Sequence, residues 1–166
     1  MIKESLGTKF IKQYPEEFST RLKVQKASYL LTHGKSSPKV NLPYAWTFYL
    51  RGPYSSEMAH MLYHVNDCWS DCIREQVRLT EEELRAISHF KEFQGKLRIL
   101  GDQSSEFTQD ELLELVTTII YIAEQVGNEK RRIMSRLKRL KPKLTQKGSS
   151  GLYERVHALL VQHQYI

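Results

Sequence analysis

His60, His64, Cys68 and Cys72 fall four residues apart, and imidazoles and thiols at helical spacing are the side chains that bind zinc. Geometry excludes one four-ligand centre. Each four-residue step climbs a helix by about 6 Å, so the outer two lie about 18 Å apart, far beyond zinc–ligand bonds of about 2.0–2.3 Å. At most an adjacent pair joins ligands from elsewhere. Free cysteine is also among the residue types most often buried, so packing is the expected role and no metal is expected. Two cysteines make no secreted disulfide framework, and a Cys68–Cys72 bridge is disfavoured in a reducing compartment.

Nucleophilic and phosphate chemistry find no better footing. Ser55 and Ser56 follow Gly52-Pro53, but no Gly-x-Ser-x-Gly elbow surrounds them. The glycines never form G-x-G-x-x-G or G-x-x-x-x-G-K-[ST], so no phosphate cradle and no cofactor is expected. The chain reads as a non-enzyme, with no catalytic residue assigned.

Two patterns suit contact with another macromolecule. At the Gly-Pro turn, Tyr49, Arg51 and Tyr54 are amphipathic side chains of the kind that anchor interfaces. The plainer alternative is that the two tyrosines cover core beside the turn. The second pattern is basic. Residues 130–147 hold nine lysines and arginines and no acid, so a net charge of +6 leaves −3 for the rest of the chain. Ile133, Leu137, Leu140 and Leu144 recur at i, i+4, i+7 and i+11 and are expected to face the core. Arg132, Arg136, Arg139 and Lys143 repeat that spacing on the neighbouring stripe, with Arg131 and Lys138 beside them. Such a strip can neutralise phosphates or meet an acidic partner, against the alternative of a solvated helix face. No aromatic residue lies between 128 and 152, so base stacking gains no support there.

The elements that must position these residues are mostly helices. A short helix over 3–13 ends at Tyr14-Pro15, because proline disfavours helix in the residue before it. Ser19 or Thr20 caps a second helix that Gly34 closes. Residues 34–43 read as a flexible connection rich in turn formers. The aromatic run 44–50 reads as a strand, pairing with the Val40 region in a small hairpin, and Gly52-Pro53 breaks it. Ser55 or Ser56 caps a third helix reaching about residue 78. Thr80 with Glu83 and Thr108 with Glu111 are capping boxes. The helix behind Thr108 is apolar around much of its circumference, which places it centrally, and Gly127 ends it. Asn128 caps the basic helix, which stops near Pro142, and a last helix spans about 152–164. The expected class is mainly α (α+β): a compact multi-helix domain with a small β strand or hairpin, compatible with a winged helix.

Length and composition bound the rest. A chain of 166 residues, 40% hydrophobic and 10% aromatic, is expected to fold as one domain over 1–166 with its own core. The first residues carry no apolar run of the signal-peptide kind. The longest apolar stretch, 115–123, is under half of a span of about 20 residues, so a cytoplasmic protein without membrane contact is expected.

Residues 21–30, "RLKVQKASYL", with 50–55, "LRGPYS", resemble the SocA-like, or Panacea, antitoxin domain family and its uncharacterised Gly-Pro-Tyr-Ser relatives. Lys23, Gln25, Lys26 and Tyr29 match the family's K-L-Q-K-L-x-Y helix, and Gly52-Pro53 its turn; Val24 and Ala27 stand where leucines are usual. "RLKRLKPKLT", 136–145, is similar to relatives ending in a helix, a Lys-Pro turn and a further helix. The resemblance implies a helical domain that binds and neutralises a protein toxin encoded beside it, without catalysis. The partner-binding set is then Lys23, Gln25, Lys26, Tyr29, Tyr49, Arg51, Gly52, Pro53, Tyr54 and Ser55, although Lys23 and Lys26 can also simply snorkel around their helix. The competing expectation is a winged-helix-like DNA-binding regulator that grips its site through Arg131, Arg132, Arg136, Lys138, Arg139 and Lys143.

Overall fold

The architecture comes from a computed structural model that describes residues 18–35, 38–64 and 79–166. Among these residues the elements run α1 (Phe18–Thr32), β1 (Thr47–Tyr49), β2 (Gly52–Tyr54), α2 (Ser56–His64), α3 (Glu81–Asp102), α4 (Gln109–Val126), α5 (Lys130–Leu140), α6 (Pro142–Lys147) and α7 (Ser150–Gln162). The protein is mainly helical with one small antiparallel hairpin, the class expected from its sequence. The expected helix over 3–13, and the expected extension of α2 beyond residue 64, lie outside the described residues.

The helix that is apolar nearly all round is the axle of the fold. Every residue of α4 from Leu112 to Ile120 is buried, and α1, α3, α5 and β2 all pack on it. Isoleucine and leucine side chains account for most of that burial, each contributing about 1.5–3 kcal/mol when fully removed from water. Ile133 and Leu137 of α5 and Leu144 of α6 face the same core, as their spacing predicts, while Leu140 is half-buried. α7 lies against α3, and the chain end tucks in behind it, with Tyr165 and Ile166 buried and the Lys35 amide donating to the Tyr165 carbonyl at 3.1 Å. No helix among the described residues is long and apolar enough to cross a membrane.

Both expected capping boxes form. The Thr108 hydroxyl accepts from the Glu111 amide, while the Glu111 carboxylate accepts from the Thr108 amide at 2.8 Å; Thr80 and Glu83 repeat the arrangement. Each satisfies two backbone donors that an uncapped helix start leaves open. Gly127 closes α4 at φ +81°, as expected.

Other boundaries differ. α1 has already begun at Phe18, so Ser19 and Thr20 are interior to it and are not its cap. Glu129, not Asn128, stands at the start of α5, and its carboxylate pairs with Arg132 at 2.7 Å instead of capping an amide. α7 starts two residues early, because Ser149 accepts from the Leu152 amide. Pro142 ends the basic helix and also opens α6 from its first turn, where its missing N–H costs nothing.

The hairpin is the largest correction. β1 pairs with 52–54, not with the Val40 region, so Gly52-Pro53 forms the return strand and does not break one. Val40 instead donates its amide to the Leu31 carbonyl and is buried beside the end of α1. The register Thr47–Tyr54, Phe48–Pro53, Tyr49–Gly52 explains how proline is accepted. Alternate pairs in an antiparallel ladder exchange no hydrogen bonds, and Pro53 occupies such a position.

Candidate functional site

Leu50 and Arg51 turn the chain at the hairpin tip, and Gly52 follows at φ +84°. A turn followed by a residue in the left-handed region is a common hairpin geometry, and it favours glycine. Space demands glycine as well: a Cβ there would lie 2.7 Å from the Thr118 hydroxyl oxygen on α4. The hairpin therefore presses its backbone directly onto the central helix.

Pressing backbone into a protein interior buries carbonyl and amide groups that need partners. Three side chains supply them. Gln25 of α1 acts as a short strand edge: its amide nitrogen donates to the Ser55 carbonyl at 2.8 Å and its oxygen accepts from the Ser55 amide at 3.1 Å. The next residue, Lys26, donates from its ammonium to the Pro53 carbonyl at 2.7 Å. From the other side, Lys141 at the α5–α6 junction donates to the Leu50 carbonyl and pairs with Glu114 of α4 at 2.7 Å. Ser55, fully buried, caps α2 by accepting from the Met58 amide at 3.3 Å.

The site residues expected from sequence thus divide. Gln25, Lys26, Tyr29, Gly52, Pro53 and Ser55 are buried, and of these Gln25, Lys26 and Gly52 line the floor of a groove beside the hairpin. Tyr29 donates to Glu124 at 2.9 Å and stacks on His33 with ring centroids 4.0 Å apart. Lys23 is exposed, 3.6 Å from Asp110. Tyr49 and Arg51 are exposed and Tyr54 half-buried, with the Tyr49 and Tyr54 rings 5.6 Å apart. All six basic residues assigned to nucleic acid are exposed. His60 is exposed, whereas Cys68 and Cys72 lie outside the described residues; among those described, no group of three or more metal-ligating side chains converges.

Sequence reasoning missed Glu114 and Lys141. The available signal was a single acid inside the run Leu112-Leu113-Glu114-Leu115-Val116 on a helix due to be buried all round. An acid there requires a cation, and Lys141 was read only as part of a basic run.

Two lysines around one carboxylate leave one cation in excess. Burial, opposed by Glu114 and reinforced by Lys141 and Arg51, pushes the Lys26 ammonium down to about 7. A neutral amine still donates to the Pro53 carbonyl, so the clamp holds either way. Folded protein thus releases this proton near pH 7, while an unfolded lysine keeps it to about pH 10. The unfolded state binds more protons in that window, so stability rises with pH from about 7 to 10, by at most about 1.4 kcal/mol per pH unit for one site. Below about pH 6.5, His157 and His163, both pushed down by burial, also lower stability as pH falls. Denaturant titrations of wild type and Lys26→Met at pH 7, 8 and 9 are expected to show this rise in the wild type and a flatter profile in the variant.

Outside the clamp, the tip projects into solvent. Leu50 is 79% exposed, Tyr49 60% and Tyr63 of α2 65%. Between α1, the hairpin and α2 lies an apolar groove of about 270 Å³, bordered by Leu22, Leu50, Tyr54, Leu62 and Tyr63. Arg21 sits at its edge, its guanidinium 4.9 Å from the Tyr63 ring centroid. That volume is below the range of about 300–1,000 Å³ usual for small-molecule pockets and suits one or two side chains of a protein partner.

No family model, no curated protein and no solved structure was found to match this chain.

Proposed function

We propose that the protein is a non-catalytic interaction module that binds another protein through the hairpin tip and the apolar groove beside it, in the manner of an antitoxin capturing its toxin. The observation that carries this reading is the contrast between the two sides of the hairpin. Its inner side is fixed by Gln25, Lys26 and Lys141, and its outer side displays Tyr49 and Leu50. Exposed tyrosine and leucine on a backbone held in place lose little conformational freedom on binding, which is what makes aromatic anchors effective. Arg51 adds an exposed cation at the tip.

The antitoxin form of the proposal is tested by co-expression. A flanking gene's product that arrests growth is expected to be neutralised by the wild-type chain, and the pair Tyr49→Ala and Leu50→Glu to abolish that rescue. Both side chains are exposed, so unfolding stability is expected to move by no more than about 0.5 kcal/mol. Partner affinity is expected to fall by about 30-fold or more, the scale of one lost anchor. Rescue that survives in the variant, or no rescue from any flanking product, removes the reading.

A further inference from the structure

We infer a second binding face, on α5, that takes the phosphate backbone of double-stranded nucleic acid. Arg131, Arg132, Arg136 and Arg139, with Gln125 and Ser135, border an open groove of about 580 Å³ where α5 follows the end of α4. Their helix positions span about 12 Å of axis. Along that length a duplex presents about seven phosphates, one charge per 1.7 Å or so.

Lys23, Lys96, Lys141 and Lys147 each meet a carboxylate within 4.0 Å, and so does Lys130 in the first turn of α5. On α5, Glu129 pairs with Arg132, but among the described residues Arg131, Arg136, Lys138 and Arg139 have no carboxylate within that distance. The inward face, Ile133 and Leu137, is completely buried, so the helix is anchored and its charges are held outward together. Such a concentration of unpaired guanidiniums costs self-repulsion unless an anion relieves it.

The chemistry of the face selects the partner. A protein interface needs an apolar centre, and the exposed large apolar residues of the described chain lie on the hairpin, α2, α3 and α7, none on α5. Single strands are gripped by stacking bases on aromatic rings, and α5 carries none. What remains is planar, bidentate donors in a row, suited to phosphate oxygens and indifferent to base sequence.

The test uses the full chain and a labelled DNA duplex of about 24 base pairs, titrated from about 50 to 200 mM salt. Two unrelated sequences are expected to bind equally, with log affinity falling against log salt at a slope of about −3, for three to four phosphate contacts. Arg136→Gln alone is expected to make the slope shallower by about one, a change no structural role produces. The triple reversal Arg132→Glu, Arg136→Glu and Arg139→Glu is expected to weaken binding more than about tenfold with an unchanged melting curve. Duplex binding indifferent to these substitutions, or none at about 50 mM salt, overturns the inference. Polyglutamate competing as well as duplex at equal charge also overturns it, in favour of an acidic protein.

Discussion

Glu114→Ala is expected to lower the free energy of unfolding by about 3–5 kcal/mol, the loss that follows when one partner of a buried ion pair is removed. Glu114 and Lys141 are each more than nine-tenths buried, and Lys26 nearly completely so. Without the carboxylate, two lysines face each other with no anion between them, one still holding Leu50 and the other Pro53. Both must shed a proton or leave the interior, and either course loosens the hairpin. Because natural stabilities are about 5–15 kcal/mol, much of the margin goes with one side chain. The desolvation account makes a second demand. Glu114→Leu combined with Lys141→Met exchanges the pair for apolar groups of similar volume, and such exchanges are often neutral. The double variant is expected to recover most of the loss, short of the contribution from the Leu50 carbonyl. Urea denaturation of the wild type, the single variant and the double variant checks both; a double variant no better than Glu114→Ala contradicts the account.

Gly52→Ala carries the second large effect, about 2–4 kcal/mol, from two separable causes. A left-handed backbone costs an L-residue about 1–2 kcal/mol, and a Cβ 2.7 Å from the Thr118 hydroxyl forces one of them to move. Adding Thr118→Ala removes the obstruction but not the backbone strain. The pair is therefore expected to melt between wild type and Gly52→Ala. Full restoration would mean that the left-handed conformation has no energetic consequence here. Thr118 makes this cycle informative, since its buried hydroxyl has no hydrogen-bond partner among the described residues and losing it opens no bond.

How much of this was legible in the sequence depends on the range of the interaction. Local chemistry was readable: Thr80-Glu83 and Thr108-Glu111 are four-residue signals and both close as boxes, and the apolar circumference of α4 announced its burial. Misreadings arose where a partner comes from far along the chain. Gly52-Pro53 looks like a strand breaker to a local rule, yet it is a strand that Lys26 holds at the Pro53 carbonyl and that packs at Gly52 on Thr118, partners 27 and 66 residues away. Gln25 and Lys26 look like surface polar groups on α1, and no sequence period reveals that each has a backbone acceptor waiting at the hairpin. Asn128 lost its capping role because Glu129 occupies the boundary and its carboxylate goes to Arg132. The exposed members of the set, Tyr49 and Arg51 at the tip and the arginines of α5, were legible as surface because nothing in the core competes for them.

The claim on which the rest stands is that the polar signature of α1 faces inward and holds the Gly-Pro hairpin. Amide hydrogen exchange at Ser55 measures it without any partner. In the wild type the Ser55 amide, buried and donated to the Gln25 side chain, is expected to exchange at least about 100-fold more slowly than in an unstructured peptide, and Gln25→Ala to remove most of that protection. Exchange at the unprotected rate in the wild type, or protection unchanged in Gln25→Ala, would show that the hairpin is not held in this way.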